Sequence, residues 1–467
     1  MKLANSSVKQ LVVIDPQVNG WQSLVADLGG DGCIERRPIM KSMKLAQLGL
    51  AVFTLSLTAC GGGGSASTPA PQPVAMSVSI SNLSISGLTV TNGVDKVDVP
   101  ANATSVEFPT KVIDPSKNPV SILAQPSFLT KCELSNAAGT AIACRAAVVT
   151  VSKLAGSGVI GRADGTGTAA QFADPIFVAT DARGNAYVGD VDGYTVRKIT
   201  AAGVVTTIAG TGLLGNTNGP AATASFSSPR GIALDAAGNI FVTDTGNKVV
   251  RKITPDGVVS TFAGSGAIGS ADGVGTTASF SQQIVGIAAD SVGNVFVGDY
   301  ANNSVRKITS AGLVSTLAGN GVAAAVDGVG TAASLDLPRA LAVDAVGNVF
   351  LTSLGTSNNL IRKITPAGVV TTLKLTFSTA NVSFNAAGIA VDAAGNLYTT
   401  DQVNHRVNMI DKNGVVTTIA GLGTAGKLDG PGLSARFNAP IGIAIDSSGN
   451  LLIGEPGNFV VRKISAQ

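Results

Sequence analysis

The sequence predicts an all-β protein built mainly from a closed radial array of four-stranded sheets, a six-bladed β-propeller. Three observations predict it. Residues 229–264 read as four short strands joined by tight turns, and the same text recurs six times along the chain. The Asp that closes the first strand falls at Asp181, Asp235, Asp290, Asp344, Asp392 and Asp446, at spacings of 54, 55, 54, 48 and 54. The last copy stops after its third strand, while a matching fourth-strand text, residues 148–156, stands before the first copy. One meander cannot bury both of its faces alone, so its copies must stack or close on themselves. Six copies suit a ring of roughly 4–8 blades. Completing the last blade with residues 148–156 removes the exposed edges that invite aggregation.

Within the unit, residues 231–234 are a short apolar run, as a strand buried on both faces should be. Asp235-Ala236-Ala237-Gly238 reads as a type I turn, with Asp at the position where its side chain bonds the backbone. Residues 240–244 form the second strand, turned by Thr245-Gly246-Asn247. Residues 249–254 form the third, and Thr254-Pro255-Asp256-Gly257 is a tight turn whose Pro pre-sets φ. Residues 258–263 are the fourth strand. The third strand carries an Arg at Arg197, Arg251, Arg306, Arg362 and Arg462, replaced by Asn408 in the fifth copy.

The text GIALDAAGNIFVTDTGNKVVRKI of residues 231–253, with ADG-x-G-T-A-A-x-F linkers before the copies, resembles the NHL-repeat family across about residues 148–467. That resemblance implies a six-bladed propeller, usually a binding platform and occasionally an enzyme.

Towards the N-terminus, residues 1–42 do not match the rest of the chain in pattern and read as a doubtful extension, with translation starting at Met43. Residues 43–59 combine a basic Lys44, an apolar core and Leu57-Thr58-Ala59 before Cys60, the plan of a secretory signal. The ending resembles the bacterial lipobox, which implies that Cys60 is lipidated and becomes the mature N-terminus. The alternative is a transmembrane anchor, which so brief an apolar core would make poorly. Residues 60–74 are a Gly/Ser/Pro tether. Residue 61 is Gly, not Asp, which by analogy with envelope sorting points to an outer-membrane destination.

Residues 75–147 alternate apolar and polar positions at strand period, as at Val78, Ile80, Leu88 and Val90, with a hairpin signal at Thr91-Asn92-Gly93. The text Gly87-Leu88-Thr89-Val90-Thr91-Asn92-Gly93 resembles small Ig-like sandwiches of bacterial surface proteins, which implies a spacer. Of four cysteines, Cys33 lies in the doubtful extension and Cys60 is the lipid site, so Cys132 and Cys144 remain in an exported chain. That setting favours a disulfide over two separate buried thiols.

Charged residues make up 13% of the chain and the net charge is +3, so nothing electrostatic points to nucleic acid. Repeated G-x-G-x-x-G texts, as at residues 156–161, lack the helix that a dinucleotide pyrophosphate needs after the last glycine, and read as inter-blade linkers. Their Asp164, Asp272, Asp327 and Asp429 read as turn residues, since one carboxylate per loop falls short of a Ca²⁺ site. The end of strand two carries Asp190, Asp244, Asp299, Asp401 and Glu455, with Ser353 interrupting. These acids form either a ring that receives a cationic or hydroxyl-rich ligand, or internal pairs with the Arg seven residues later. His405 is the only histidine, and one His cannot build a three-His metal centre. No cofactor or metal site is therefore expected, although catalysis by carboxylates alone stays open.

The expected protein is a monomeric, lipid-anchored binding or scaffold protein that meets a protein or glycan partner, with an Asp/Glu hydrolase or lyase as the alternative. Its binding face is expected where the repeat is least regular. The candidates there are Ser353 and Asn358 in a lengthened hairpin, Asp401 and His405 beside it, and the acids Asp190, Asp244, Asp299 and Glu455.

Overall fold

The computed structural model describes residues 11–12, 52–53, 71–84, 86–355, 360–377 and 384–467. The chain divides into two units, Met1–Gln72 and Pro73–Gln467. Of the first, Leu11–Val12 pairs antiparallel with Val52–Phe53. The remainder of the doubtful extension, the rest of the signal stretch, Cys60 and the tether up to residue 70 lie outside the described residues, as does Asn358.

Among the described residues the second unit is all-β and carries six five-stranded sheets, an arrangement consistent with a β-propeller. The sequence leads one to expect four strands per sheet. The fifth is a two-residue strand of the linker, such as Gly219–Pro220, which pairs with the outer strand Val258–Ala263 of the sheet it leads into. Each outer edge is thereby covered, which blunts edge-to-edge association. The fifth sheet differs, because its Thr376–Phe377 runs parallel to the outer strand.

The inner strands pack side by side in a closed circuit. Pro175–Thr180 lies against Pro229–Leu234, the contacts continue through Ile287–Ala289, Pro338–Val343 and Ala386–Val391, and Gly442–Ile445 returns to Pro175–Thr180. Phe177, Ile232, Ile287, Leu341, Ile389 and Ile443 close the axis around a cavity of only 30 Å³. In the sixth sheet the outer strand is Val149–Ala155, which pairs with Val460–Ala466.

Neighbouring sheets are bolted together at strand two. Thr243 Oγ1 accepts from the Gly231 amide at 2.7 Å and donates to the Val285 carbonyl of the next sheet at 2.8 Å. Thr400 does the same with Gly388 and Ile441, and Thr352 with Ala340 and Ala387. The other three sheets place Gly189, Gly298 and Gly454 there. A Cβ on Gly454 would fall 2.1 Å from the Ile176 carbonyl, so backbones meet where no hydroxyl bridges them.

Ahead of the six sheets stand two smaller ones. Ser105–Glu107, Ser77–Ser81, Ala141–Ala146 and Thr130–Leu134 form one, and Lys96–Val99, Leu88–Thr91 and Ser121–Ala124 form the other. They share a core of Val78, Ile80, Leu88, Val90, Phe108 and Ile142. Cys132 and Cys144 face each other across adjacent strands and are joined by a disulfide. This element is seated on the larger one, with the Phe128 ring edge-on to Tyr398 at 5.8 Å.

Candidate functional site

The acids at the end of strand two are not surface groups. Asp190, Asp244, Asp299 and Glu455 are fully buried. Each pairs with the Arg seven residues later, at 3.4, 2.9, 3.0 and 3.2 Å. They also accept backbone amides from the segment entering the inner strand, as Asp244 does from Ser227 at 2.7 Å. Burial first, against these partners, leaves Asp190 and Asp244 above the ordinary carboxylate range and pushes Glu455 up to about 7. Of the two readings, the structure shows the internal pair with the Arg seven residues later and not a ligand-binding ring: these oxygens are engaged within their own sheets.

A linker residue also reaches each Arg, a link the sequence reading missed. Asp164, Asp272, Asp327 and Asp429 reach Arg197, Arg306, Arg362 and Arg462 at 2.7, 2.6, 2.9 and 2.5 Å. In the second sheet Asn218 takes that role towards Arg251 at 2.8 Å. Four of the guanidinium groups lie over a linker Phe, as Arg251 lies over Phe226 at 5.0 Å. The signal was present in the text, since the linker Asp or Asn stands 33 to 35 residues before its Arg every time. These aspartates are thus more than turn residues. Where Asn408 replaces the Arg, both the linker Asp and the Asp-Gly text are gone, and Asn408 accepts instead from Thr418 at 2.8 Å.

Two of the remaining described candidates are also buried, and the third, His405, is half-buried. Asp401 is buried and receives the Asn404 amide at 2.9 Å, and Ser353 is buried. His405 takes the left-handed conformation at φ 54°, and its Nδ1 accepts the Ala439 amide of the next sheet at 3.1 Å. It therefore serves as an inter-sheet fastener.

A different group stands at the axial mouth, on the end where inner strands begin and strands two turn into strands three. The position five residues before the Asp that closes each inner strand, at or just ahead of the strand's start, holds Ile176, Arg230, Val285, Arg339, Ala387 and Ile441. Two arginines interrupt an otherwise apolar ring. Arg339 Nη1 donates to Gln402 Oε1 of the following sheet at 2.8 Å. Burial, together with the like charge of Arg230 and against Tyr300 beside it, lowers Arg339 to about 10, so it remains cationic at neutral pH. Tyr300 packs its ring onto the core below. On the other side of Arg230, burial and then the charge of Asp192 raise Asp174 to about 6, while Arg230 opposes them. The mouth thus carries cations from the second and fourth sheets and carboxylates from the first. Sequence reasoning missed Arg230 and Arg339. The available signal was a charged residue inside the apolar inner-strand text, SPRGIAL and LPRALAV. Among the described residues no group of three or more His, Cys, Asp or Glu is placed to hold a metal ion.

Fold and site together describe a propeller-like all-β protein with a polar axial mouth. Residues 226–253 match the NHL repeat. A stretch of 78 residues is 35% identical to the protein SUPPRESSOR OF QUENCHING 1, chloroplastic, of Arabidopsis thaliana, covering 16% of this chain and 7% of that protein. The matched stretches span less than a tenth of the curated relatives. Among solved structures, the chain resembles a Bacteroides thetaiotaomicron protein of unknown function, with a TM-score of 0.55, 18% identity, and coverage of 81% of this chain and 90% of the other. It also resembles an auxiliary nutrient binding protein of the same species, with a TM-score of 0.50, 16% identity, and the same 81% and 90% coverage. Identities this low establish a shared fold.

Proposed function

We propose that this chain is an exported binding protein: a six-bladed NHL propeller preceded by an Ig-like sandwich, anchored in the bacterial envelope through a lipid on Cys60, and binding a protein or glycan partner over its axial mouth. The observation that carries the reading is the contrast between the inside of the repeat and its mouth. Inside, a strand-two acid, the strand-three Arg and a linker Asp meet in the first, third and sixth sheets, with one partner varied in the second and fourth. At the mouth four successive sheets differ, contributing Arg230, Tyr300, Arg339 and Gln402 in turn. A repeated surface cannot discriminate, and specificity needs positions that differ. The fold shared with a nutrient-binding protein supports a binding role.

A capture experiment tests it. The chain from residue 73 onward, immobilised and exposed to envelope extract, is expected to retain a partner that the Arg230→Gln/Arg339→Gln double variant releases. Equal capture by both would remove the mouth from the binding face.

One observation favours a second reading, a hydrolase or lyase working through carboxylates. Asp174, raised to about 6 and set beside Arg230, has the poise of a general acid or base. A panel of lactones and acidic polysaccharides decides it: turnover abolished by Asp174→Asn supports the enzyme, and absence of turnover in the unaltered protein rules out that chemistry for the panel.

A further inference from the structure

Arg230 is the cation that the architecture does not use. The five strand-three arginines spend both terminal nitrogens on carbonyls, acids or amides, as Arg251 does on Ser225, Asp244, Thr217 and Asn218. Arg230 makes no ion pair or side-chain hydrogen bond among the described residues, although its Nε is buried. Arg339 makes a single hydrogen bond, to Gln402, and likewise no ion pair among the described residues. The fold does not require either cation, since Ile176, Val285, Ala387 and Ile441 occupy the same place in other sheets. Arg230 and Arg339 stand two residues before Ile232 and Leu341, which line one axial cavity of 30 Å³, so both cations belong to the same axial mouth. Asp174 on the first sheet offsets Arg230 in part, and like charges in a partly dry site are stabilised further by an anion that joins them.

The geometry points to a carboxylate-binding site between Arg230 and Arg339, an inference that rests on the binding-protein reading above. The planar fork of each guanidinium matches a carboxylate. Gln402 has its Oε1 engaged by Arg339, which leaves its amide N–H groups to donate beside the anion, and the Tyr300 hydroxyl stands near Arg339. Asp174, on which both Asp192 and Arg230 act, brings carboxylates of the first sheet to this side of the mouth. They oppose a doubly charged phosphate more than a singly charged carboxylate, and leave acceptors for the hydroxyls of its carrier. Because the axis below is closed around a 30 Å³ cavity, only the charged head can enter and the body must lie across the face. An acidic sugar has this form.

Calorimetry on the full chain tests the proposal with glucuronate, glucose and inorganic phosphate as probes. Glucuronate is expected to bind, and glucose not. Arg230→Gln or Arg339→Gln is expected to weaken glucuronate by about tenfold or more, as loss of a charge-assisted hydrogen bond does. Retention of full affinity in the double variant would overturn the site, and phosphate binding more tightly than glucuronate would overturn the carboxylate assignment. If a variant fails to fold, the unaltered chain decides through its Tm. Stabilisation by glucuronate and not by glucose supports the site, and stabilisation by neither overturns it. Partner capture that persists while glucuronate fails to bind would sink this inference alone and leave the binding-protein reading standing.

Discussion

The Arg251 guanidinium lies 2.9 Å from the Asp244 carboxylate, and both side chains are fully buried. The same cation reaches Asn218 and stacks on Phe226, so one side chain ties strand two, strand three and the preceding linker together. Removing it leaves the buried Asp244 carboxyl without its cation. Arg251→Ala is therefore expected to cost about 3–5 kcal/mol in urea unfolding. Arg251→Lys keeps the charge but loses the fork, and should recover only part of that loss. A cost of Arg251→Ala within about 0.5 kcal/mol, the usual range for surface changes, would refute the arrangement.

The pH dependence of stability should carry the mark of Glu455. Burial is the main cause of its rise, with Arg462 opposing, from an ordinary value of 4.5 to about 7 in the folded protein. The folded state then holds this proton more tightly than the unfolded chain does. Its contribution is fully present below 4.5 and is lost as pH rises through 7, about 3 kcal/mol in all. Glu455→Gln should flatten the decline between those values. For Asp164, burial raises the pKa, but the Thr207 amide and Arg197 more than offset it and leave the group below its ordinary value. Its contribution is present above 3.8 and is lost in acid. An unchanged pH profile in the Gln variant would show that Glu455 does not titrate in this window.

Closing the final sheet with an N-terminal strand makes Val151 a long-range anchor. It is 2% exposed and pairs with Ile464. Val151→Asp buries an unpaired carboxylate there and should destabilise by at least about 3 kcal/mol. Val204→Asp, at a position 37% exposed on another outer strand, serves as the control and should stay within about 0.5 kcal/mol. Similar losses in both would mean that closure contributes nothing special.

The Cys132–Cys144 bridge closes a short loop, of sequence separation 12. Reduction is expected to cost about 3 kcal/mol in the chain-entropy model. Alkylation under non-reducing denaturation should leave both residues unmodified, and two labelled thiols would contradict the bridge.

Mass spectrometry of the native protein checks the anchor. The expected mature N-terminus is Cys60 with acyl chains, and a soluble product starting at Met1 or Met43 would exclude it. Because Trp21 is the single tryptophan, the processed protein should show tyrosine fluorescence alone.

The repeat was legible because its information is local. Turn chemistry at Asp235–Gly238, strand period and a spacing near 54 residues are all written within one copy or between copies. The same text already offered the Asp244–Arg251 pair as one of two readings, because both residues belong to one hairpin. The linker acids were harder, since a separation of 33 between Asp164 and Arg197 says nothing of contact until the linker is seen to fold back along its own sheet. The mouth was not legible at all. Arg230 and Arg339 lie 109 residues apart in the sequence, and each looks like an oddity in an apolar strand. Only ring closure brings them into one electrostatic field, because the axis is where side chains from every copy converge whatever their distance along the chain.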